Sequence, residues 1–422
     1  MRRFRLTAIE SSRHTTSVCS AICIAMLLML WTGIAAAGSL IATWNANQED
    51  DLAGYIVCYG TTSGAYTTQT DVGNETVFVA EGLNDGQEYY FAVKAYDFSG
   101  NTSMPSTEVS ARVGDPALVA LKDNQTIKLV WTPIAEAESY AIYKSTDPYF
   151  TPQSPIAMVD AADHEFVDAS HFQNNEVGTY YIVQAQAGGS VSYVYNPVGA
   201  YDVELQRGLN LVSLPLTPAD SSIHSVIGAQ LTGGESSSAA DKLRFRVGDE
   251  YEVAWLYDGP AETYQGKWIS STTTMESSKK LDTSKSFWVE VENSHEDTVF
   301  TVTGSVPMDS AKVIELHTGY NFVGSVYPVE VLLQDSELYD DQVIRGGVGS
   351  GEADIIKDWL GEGYETAWVV DGTSGPMDGM WMNETGKAET TISFRPGAGY
   401  VIWVKEDMPN KMWTYPNPSI YE

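Results

Sequence analysis

Cysteine is nearly absent. The 422 residues include three, Cys19, Cys23 and Cys58, and the first two fall in an N-terminal apolar segment. With Cys58 then alone, the chain holds no internal disulfide and no thiolate metal site. Its stability must come from ordinary cores of adequate size. Cys58 sits in an apolar strand pattern and reads as a buried, inert thiol. Positive charge is scarce too, with 24 Lys and Arg against 56 Asp and Glu, a net charge of -32. That balance argues against nucleic acid and anionic membrane surfaces as partners.

Catalytic signatures are also missing. Of the histidines beyond the leader (His164, His171, His224, His295 and His317), none forms a His-Glu-x-x-His zinc pattern. There is no Gly-x-Ser-x-Gly nucleophile elbow. Gly346-Gly347-Val348-Gly349-Ser350-Gly351 lacks the Lys of a phosphate loop and reads as a flexible connector. No carboxylate pair stands out for glycoside hydrolysis. The sequence therefore presents no catalytic residue and no cofactor requirement.

What is present begins with an export signal over residues 1–37. Arg2, Arg3, Arg5 and Arg13 precede the apolar run Ala21 to Trp31, and Ala35 and Ala37 supply the small residues of a peptidase site before Gly38. An uncleaved anchor is the alternative, since no charge occurs from Cys19 to Ala42. Cleavage removes those four arginines and Glu10, which takes the charge from -32 to -35. The expected location is secreted or at the cell surface, with the periplasm as a further possibility.

Strand patterns follow. Leu40, Ala42 and Trp44 alternate, as do Tyr55, Val57 and Tyr59, then Tyr89, Phe91, Val93 and Ala95. Period two puts each set on one sheet face. Leu83 and Tyr89 have the spacing of a tyrosine corner. With Asp51-Leu52-Ala53-Gly54-Tyr55 and the run Tyr90 to Asn101, residues 38–115 resemble a fibronectin type III domain of the kind common in exported bacterial proteins. Trp44 stands only six positions after Gly38, so the usual first strand lacks room. The module is then either truncated or leaves a sheet edge that takes a strand from elsewhere. Residues 116–203 read as a second such module. Ile127, Leu129 and Trp131 alternate, and Tyr143 to Phe150 resembles a divergent fibronectin type III subtype of bacterial surface proteins. The resemblance implies spacers or adhesive units.

The remainder is an internal duplication. Val203 to Val212 parallels Ile314 to Val323 at an offset of 111, and Ala240 to Trp268 aligns without gaps on Ala353 to Trp381 at 113. Eleven of those 29 positions are identical, against roughly two expected by chance. The units span 204–308 and 309–422. Gly208 to Pro215 resembles an uncharacterised β repeat of large bacterial surface proteins. The fold class expected is all-β: two fibronectin type III-like sandwiches, then two tandem β-rich units, sandwiches or barrels.

Eight of the eleven Trp lie in this duplicated half. Trp255/Trp368 and Trp268/Trp381 occupy equivalent positions and read as shared core. Trp288, Trp359, Trp403 and Trp413 are unshared and are the candidate ligand contacts, because exposed aromatics stack on sugar faces. Phe287, Val289 and Val291 align with Tyr400, Ile402 and Val404 on one strand face, which puts Trp288 and Trp403 on the other. Asp371 and Asp378 bracket a Gly-rich loop and are candidate calcium ligands, although their spacing fits no EF-hand. Glu49, Asp50 and Asp51 form a second acidic cluster. The reading is an exported, non-enzymatic modular protein of the cell surface, matrix or adhesion class, meeting protein or polysaccharide. A carbohydrate-binding protein using the Trp-rich tandem is the alternative, and an unrecognised hydrolase comes third.

Overall fold

A computed structural model describes residues 6–8 and 37–420, except 48, 50, 115, 174–175, 262–263, 340–342, 374 and 406–410. The apolar run Ala21 to Trp31 and Asp50 thus lie outside the described residues. The fold is all-β, with helix confined to single turns.

The first module pairs a three-stranded sheet (Leu6–Ala8, Ala37–Trp44, Val77–Asn84) with a four-stranded one (Thr68–Gly73, Leu52–Gly60, Glu88–Asp97, Val109–Arg112). This is the seven-strand arrangement of a fibronectin type III-like sandwich. Leu40, Ala42, Trp44, Tyr55, Val57, Phe91 and Val93 fill its core, as their alternation predicts. The Tyr89 hydroxyl accepts from Asn84 N at 3.2 Å, closing the tyrosine corner. Cys58 is fully buried, and that burial pushes its thiol pKa up. The missing first strand is supplied by Leu6–Ala8, which pairs with Ala42 to Trp44.

Ile41 and Val77 point away from this core yet are buried, because they pack on Val119 and Val130 of the second module. That module sets Leu118–Asp123, Thr126–Trp131 and Glu165–Asp168 against a sheet built on Ser139–Ser145 and Gly178–Ala187. The Tyr140 hydroxyl accepts from Ile134 N at 2.9 Å. Asp168 is a polar anchor of this fold. Burial raises its pKa, but hydrogen bonds from Ser170 and Tyr181 and the Lys144 ammonium prevail and hold it at about 2.

Position 203/204 falls within one continuous strand, Val198–Leu205. It pairs with Gly178–Ala187 on one edge and Thr298–Ser305 on the other. Its two faces serve two cores. Val198 and Ala200 enter that of the second module, and Val203 and Leu205 that of the first repeat unit. A strand with both faces apolar is the signature of burial on both sides.

The first unit's main sheet runs Gly208–Val212, Phe287–Val291, Lys242–Val247, Glu250–Leu256, Trp268–Ser270. In the second unit the order is the same: Gly319–Gly324, Gly399–Val404, Ile355–Trp359, Tyr364–Val369, Trp381–Asn383. Each sheet covers a core together with a two-stranded ladder, Val198–Leu205 with Thr298–Ser305 and Ala311–Leu316 with Lys411–Pro416. Among the described residues the main sheets have open ends, so these are layered units, not closed barrels.

The polar anchors shared by the two copies are structural. Asn210 and Asn321 each tie a turn together, donating to Gln206 O and His317 O at 2.7 Å. Buried Asp241 accepts from the backbone of Thr232 and Glu292, and Asp354 from that of Arg345 and Lys405, at 2.8–2.9 Å. The Gly-rich loop is also fixed, not a loose connector. Gly347 bridges Val370 as Gly234 bridges Tyr257, and a Cβ on Gly347 would come within 2.8 Å of Ala353 N. The single helical turn Ile223–Val226 is capped by Ser222, where the sequence places a short helix.

The two units meet back to back. Ser213 Oγ donates to Ala398 O at 2.6 Å, and a Cβ on Gly399 would lie 2.4 Å from that of Ser286. Leu211, Trp288 and Val401 fill the seam, with Phe322 and Trp359 packed against them.

Candidate ligand-binding surface

The outward faces of the two main sheets carry different chemistry at equivalent positions. In the first unit Lys242, Arg244, Glu290 and Glu292 alternate on adjacent strands. Lys242 Nζ lies 3.2 Å from Glu290 and 3.1 Å from Glu292, and Arg244 Nε donates to Glu290 at 2.7 Å. This is a ladder of opposite charges that satisfies itself.

In the second unit the matching positions hold Ile355, Lys357, Trp403 and Lys405. Trp403 stacks on Tyr320 with ring centroids 5.6 Å apart and planes inclined by 23°. Lys357 Nζ stands about equally over three rings, 5.4 Å from Trp403 and 5.5 Å from both Tyr320 and Tyr364. Lys405 Nζ lies 4.9 Å from Trp403. Cations over ring faces at this range are attracted by the ring quadrupole. Tyr364 continues the strip to Trp359 at 5.0 Å, and Trp359 to Trp288 at 5.3 Å. Tyr320 is 47% exposed and Tyr364 38%, so ring surface reaches solvent. Lys357 and Lys405 make no ion pair among the described residues, in a chain with a large excess of carboxylates. The strip joins flat apolar faces to two cations and suits a ligand with a planar or sugar-like face and acceptor oxygens.

Two of the four candidate Trp lie in this strip. Trp403 is its centre, and Trp359 is half-buried beside it, donating to Leu209 O at 2.6 Å. The other two are corrections. Trp288 does face away from its own core, as alternation requires, but the second unit covers that face and leaves it 6% exposed. Trp413 is fully buried, stacked on Tyr415 at 4.5 Å and donating to Ser336 O at 2.7 Å. Its alternation with Tyr415 was the available signal of a core strand. Nothing local in the sequence marks Tyr320, Lys357, Tyr364 and Lys405, because they come from three strands and the end of a fourth whose adjacency only the sheet order reveals.

Asp371 and Asp378 are both exposed. Asp378 accepts from Thr373 N at 3.1 Å and so braces its own loop. Among the described residues no three His, Cys, Asp or Glu side chains are grouped to hold a metal.

One buried carboxylate departs from its usual ionisation. Asp358 stands where the first unit has Phe245. Burial, reinforced by Glu365, pushes its pKa up to about 6 against the pull of Arg395, which donates to it at 2.6 Å. Tyr400 replaces Phe287; it accepts from Arg395 N at 2.7 Å and donates to Ser393 O at 2.6 Å. These groups spend their hydrogen bonds on one another and on backbone, which is a structural polar cluster.

No family model matches the chain, and no curated protein matches it. Among solved structures it is similar to a two-domain fibronectin type III segment of chicken tenascin. That match has 16% identity, 38% of this chain, 90% of that chain and a TM-score of 0.15. It is also similar to a crystal structure of the FN1–FN3 domains of chicken CNTN1, at 13% identity and a TM-score of 0.16 over 38% of this chain and 61% of that one. Scores of this size carry no argument, and the sandwich assignment rests on the strand order above.

Proposed function

We propose that this chain is an exported, non-enzymatic modular protein of the cell surface or extracellular matrix, working by adhesive contact. The observation that carries the reading is the joining of modules. The first two share the Ile41, Val77, Val119 and Val130 patch, the second and third share one strand, and the last two share the Trp288 seam. Tandem sandwiches held in register present a contact surface in a defined direction, which a scaffold or adhesin requires and a soluble enzyme does not. The leader supports export. Its removal would also take away Leu6–Ala8 and Ala37 and open the edge of the strand that remains over residues 38–44. Fractionation of the producing cells tests this. The chain should appear outside the cytoplasm and lack residues 1–37, and a full-length cytoplasmic product would overturn it.

A second reading, carbohydrate binding, is favoured by the Tyr320–Trp403 stack with Lys357 and Lys405 above it. Affinity electrophoresis through a polysaccharide panel tests it. Retardation should be lost in Tyr320→Ala and Trp403→Ala, and an unretarded wild type across the panel would count against it.

A further inference from the structure

We infer that the strip around Trp403 takes an acidic polysaccharide, a polymer of uronate residues whose carboxylates meet Lys357 and Lys405 while their C–H faces lie on the rings. The inference rests on the carbohydrate reading above and adds the charge of the ligand. The duplication carries it. In the first unit Lys242 and Arg244 are matched by two carboxylates on the neighbouring strand, Glu290 and Glu292. At an offset of 113 the second unit puts Trp403 in place of Glu290 and Lys405 in place of Glu292. Both counter-charges are gone, and a cation stands where one of them was. Lys357 Nζ meets three rings and Lys405 donates to Ser350 O, and neither has a carboxylate at ion-pair distance among the described residues. Burial lowers the Lys405 pKa; Asp354 opposes that, and Arg345 and Lys357 add to it. Three cations thus lie close enough to repel one another, which a bound anion relieves. The acid excess of the whole chain is screened beyond about 8 Å at physiological salt, so an anion at contact meets the local sign.

The surroundings select the occupant. Gly399–Val404 and Ile355–Trp359, at the centre of the strip, are each paired along both edges. An extended peptide finds no free backbone to bond there, so recognition runs through side chains alone. A neutral sugar would cover the two half-buried lysines and offer them no counter-charge, which is costly. A small inorganic anion would meet the lysines and leave the exposed rings of Tyr320 and Tyr364 bare. A uronate satisfies both demands with one residue, an apolar C–H face and a carboxylate fixed to the rim of the same ring. Lys405 and Lys357, 4.9 and 5.4 Å from the centre of Trp403, stand within reach of that rim. A sulfate ester is instead held off the sugar ring by a rotatable oxygen.

Affinity electrophoresis of the full chain tests the inference, through polygalacturonate and through the same polymer with its carboxylates methyl-esterified. The two gels share a backbone and differ in charge. Polygalacturonate should bind the wild type at least about tenfold more tightly than its ester does. Lys357→Met and Lys405→Met keep side-chain length and should each weaken binding to polygalacturonate by about tenfold, with an unchanged far-ultraviolet spectrum and melting temperature. Arg244→Met, at the equivalent place in the first unit, should change nothing. Equal retardation by acid and ester overturns the inference and leaves the carbohydrate reading standing, whereas no retardation by any polysaccharide overturns both. Polygalacturonate binding that both lysine variants retain also overturns the inference. Polyglutamate and dextran sulfate are the rival arms. Tighter binding of the first assigns the strip to an acidic peptide, and tighter binding of the second to a sulfate, and either result overturns the uronate. The comparison of acid with ester needs the wild type alone, so it decides even where a lysine variant loses its fold.

Discussion

The two repeat units share a strand order and differ in what they do with two equivalent places. On the outer face, the first unit closes a ladder of Lys242, Arg244, Glu290 and Glu292, and the second opens a strip of Tyr320, Trp403, Lys357 and Lys405. At the core wall, the first unit packs Phe245 on Phe287 with centroids 5.7 Å apart, and the second sets Asp358, Arg395 and Tyr400 there. The backbone tolerates both because turn and anchor residues, Asn210/Asn321 and Asp241/Asp354, hold the frame. A duplicated unit can thus keep its scaffold and exchange a ladder of opposite charges for ring surface with two cations that lack a carboxylate partner among the described residues, Lys405 donating to Ser350 O.

The comparison breaks most severely at Trp413. It lies in the second core, and Phe300, equally buried, stands at the matching place in the first. Trp413→Ala should cost about 3–5 kcal/mol. If the seam makes the units one cooperative body, denaturant unfolding stays a single transition shifted to lower midpoint. If they unfold separately, only one of two transitions moves. Next come the shared carboxylates. Asp354→Ala leaves the N–H groups of Arg345 and Lys405 unpaired, and Asp241→Ala those of Thr232 and Glu292. Each should cost about 2–4 kcal/mol. A cost in only one copy would show that the equivalence is geometric and not energetic.

Ionisation separates the copies further. Asp358 has a folded pKa raised to about 6 from an ordinary value of 3.8, so the native state holds the extra proton between those values. Stability therefore falls as pH rises from about 4 to about 6, by on the order of 2–3 kcal/mol, and is level above. Asp358→Asn should flatten that slope in melts across the window. Asp168 has the opposite sign. Its folded pKa, depressed to about 2, contributes stability that is present above 3.8 and lost as pH falls toward 2. Asp168→Asn should remove that low-pH loss and leave the slope between 4 and 6 untouched. A slope unchanged in Asp358→Asn would assign it to another group.

Local order was legible in the sequence wherever period two and turn chemistry act over a few residues. The tyrosine corner at Tyr89, the alternating cores of both sandwiches and the aligned units all follow from neighbours in the chain. What covers an outward face does not. Alternation set Trp288 opposite Phe287 and Val289 correctly, but no local pattern shows that the second unit lies over it. The boundary that the repeat alignment places at 203/204 falls inside the strand Val198–Leu205, whose apolar residues on both faces are the local sign of burial on both sides. The strip around Trp403 was half visible, because tryptophan draws notice singly and Lys357 or Tyr320 acquires meaning only through strand adjacency.

The smallest effect is the sharpest test of the outer faces. A double-mutant cycle on Lys242 and Glu290 isolates an ion pair whose side chains are 11% and 22% exposed. A cycle on Lys357 and Trp403 isolates a cation over a ring. Each coupling should be about 0.5–1 kcal/mol at low salt. Raising the salt to 1 M shortens the screening length to about 3 Å, which weakens a charge–charge pair more than a charge–quadrupole contact that depends on close approach. The Lys242–Glu290 coupling should then fall by about half or more, while most of the Lys357–Trp403 coupling survives. Equal losses would mean that Lys357 is held by distant carboxylates and not by the rings. The second unit's face would then be a variant of the first unit's charge ladder, and the aromatic strip would lose its claim as a ligand surface.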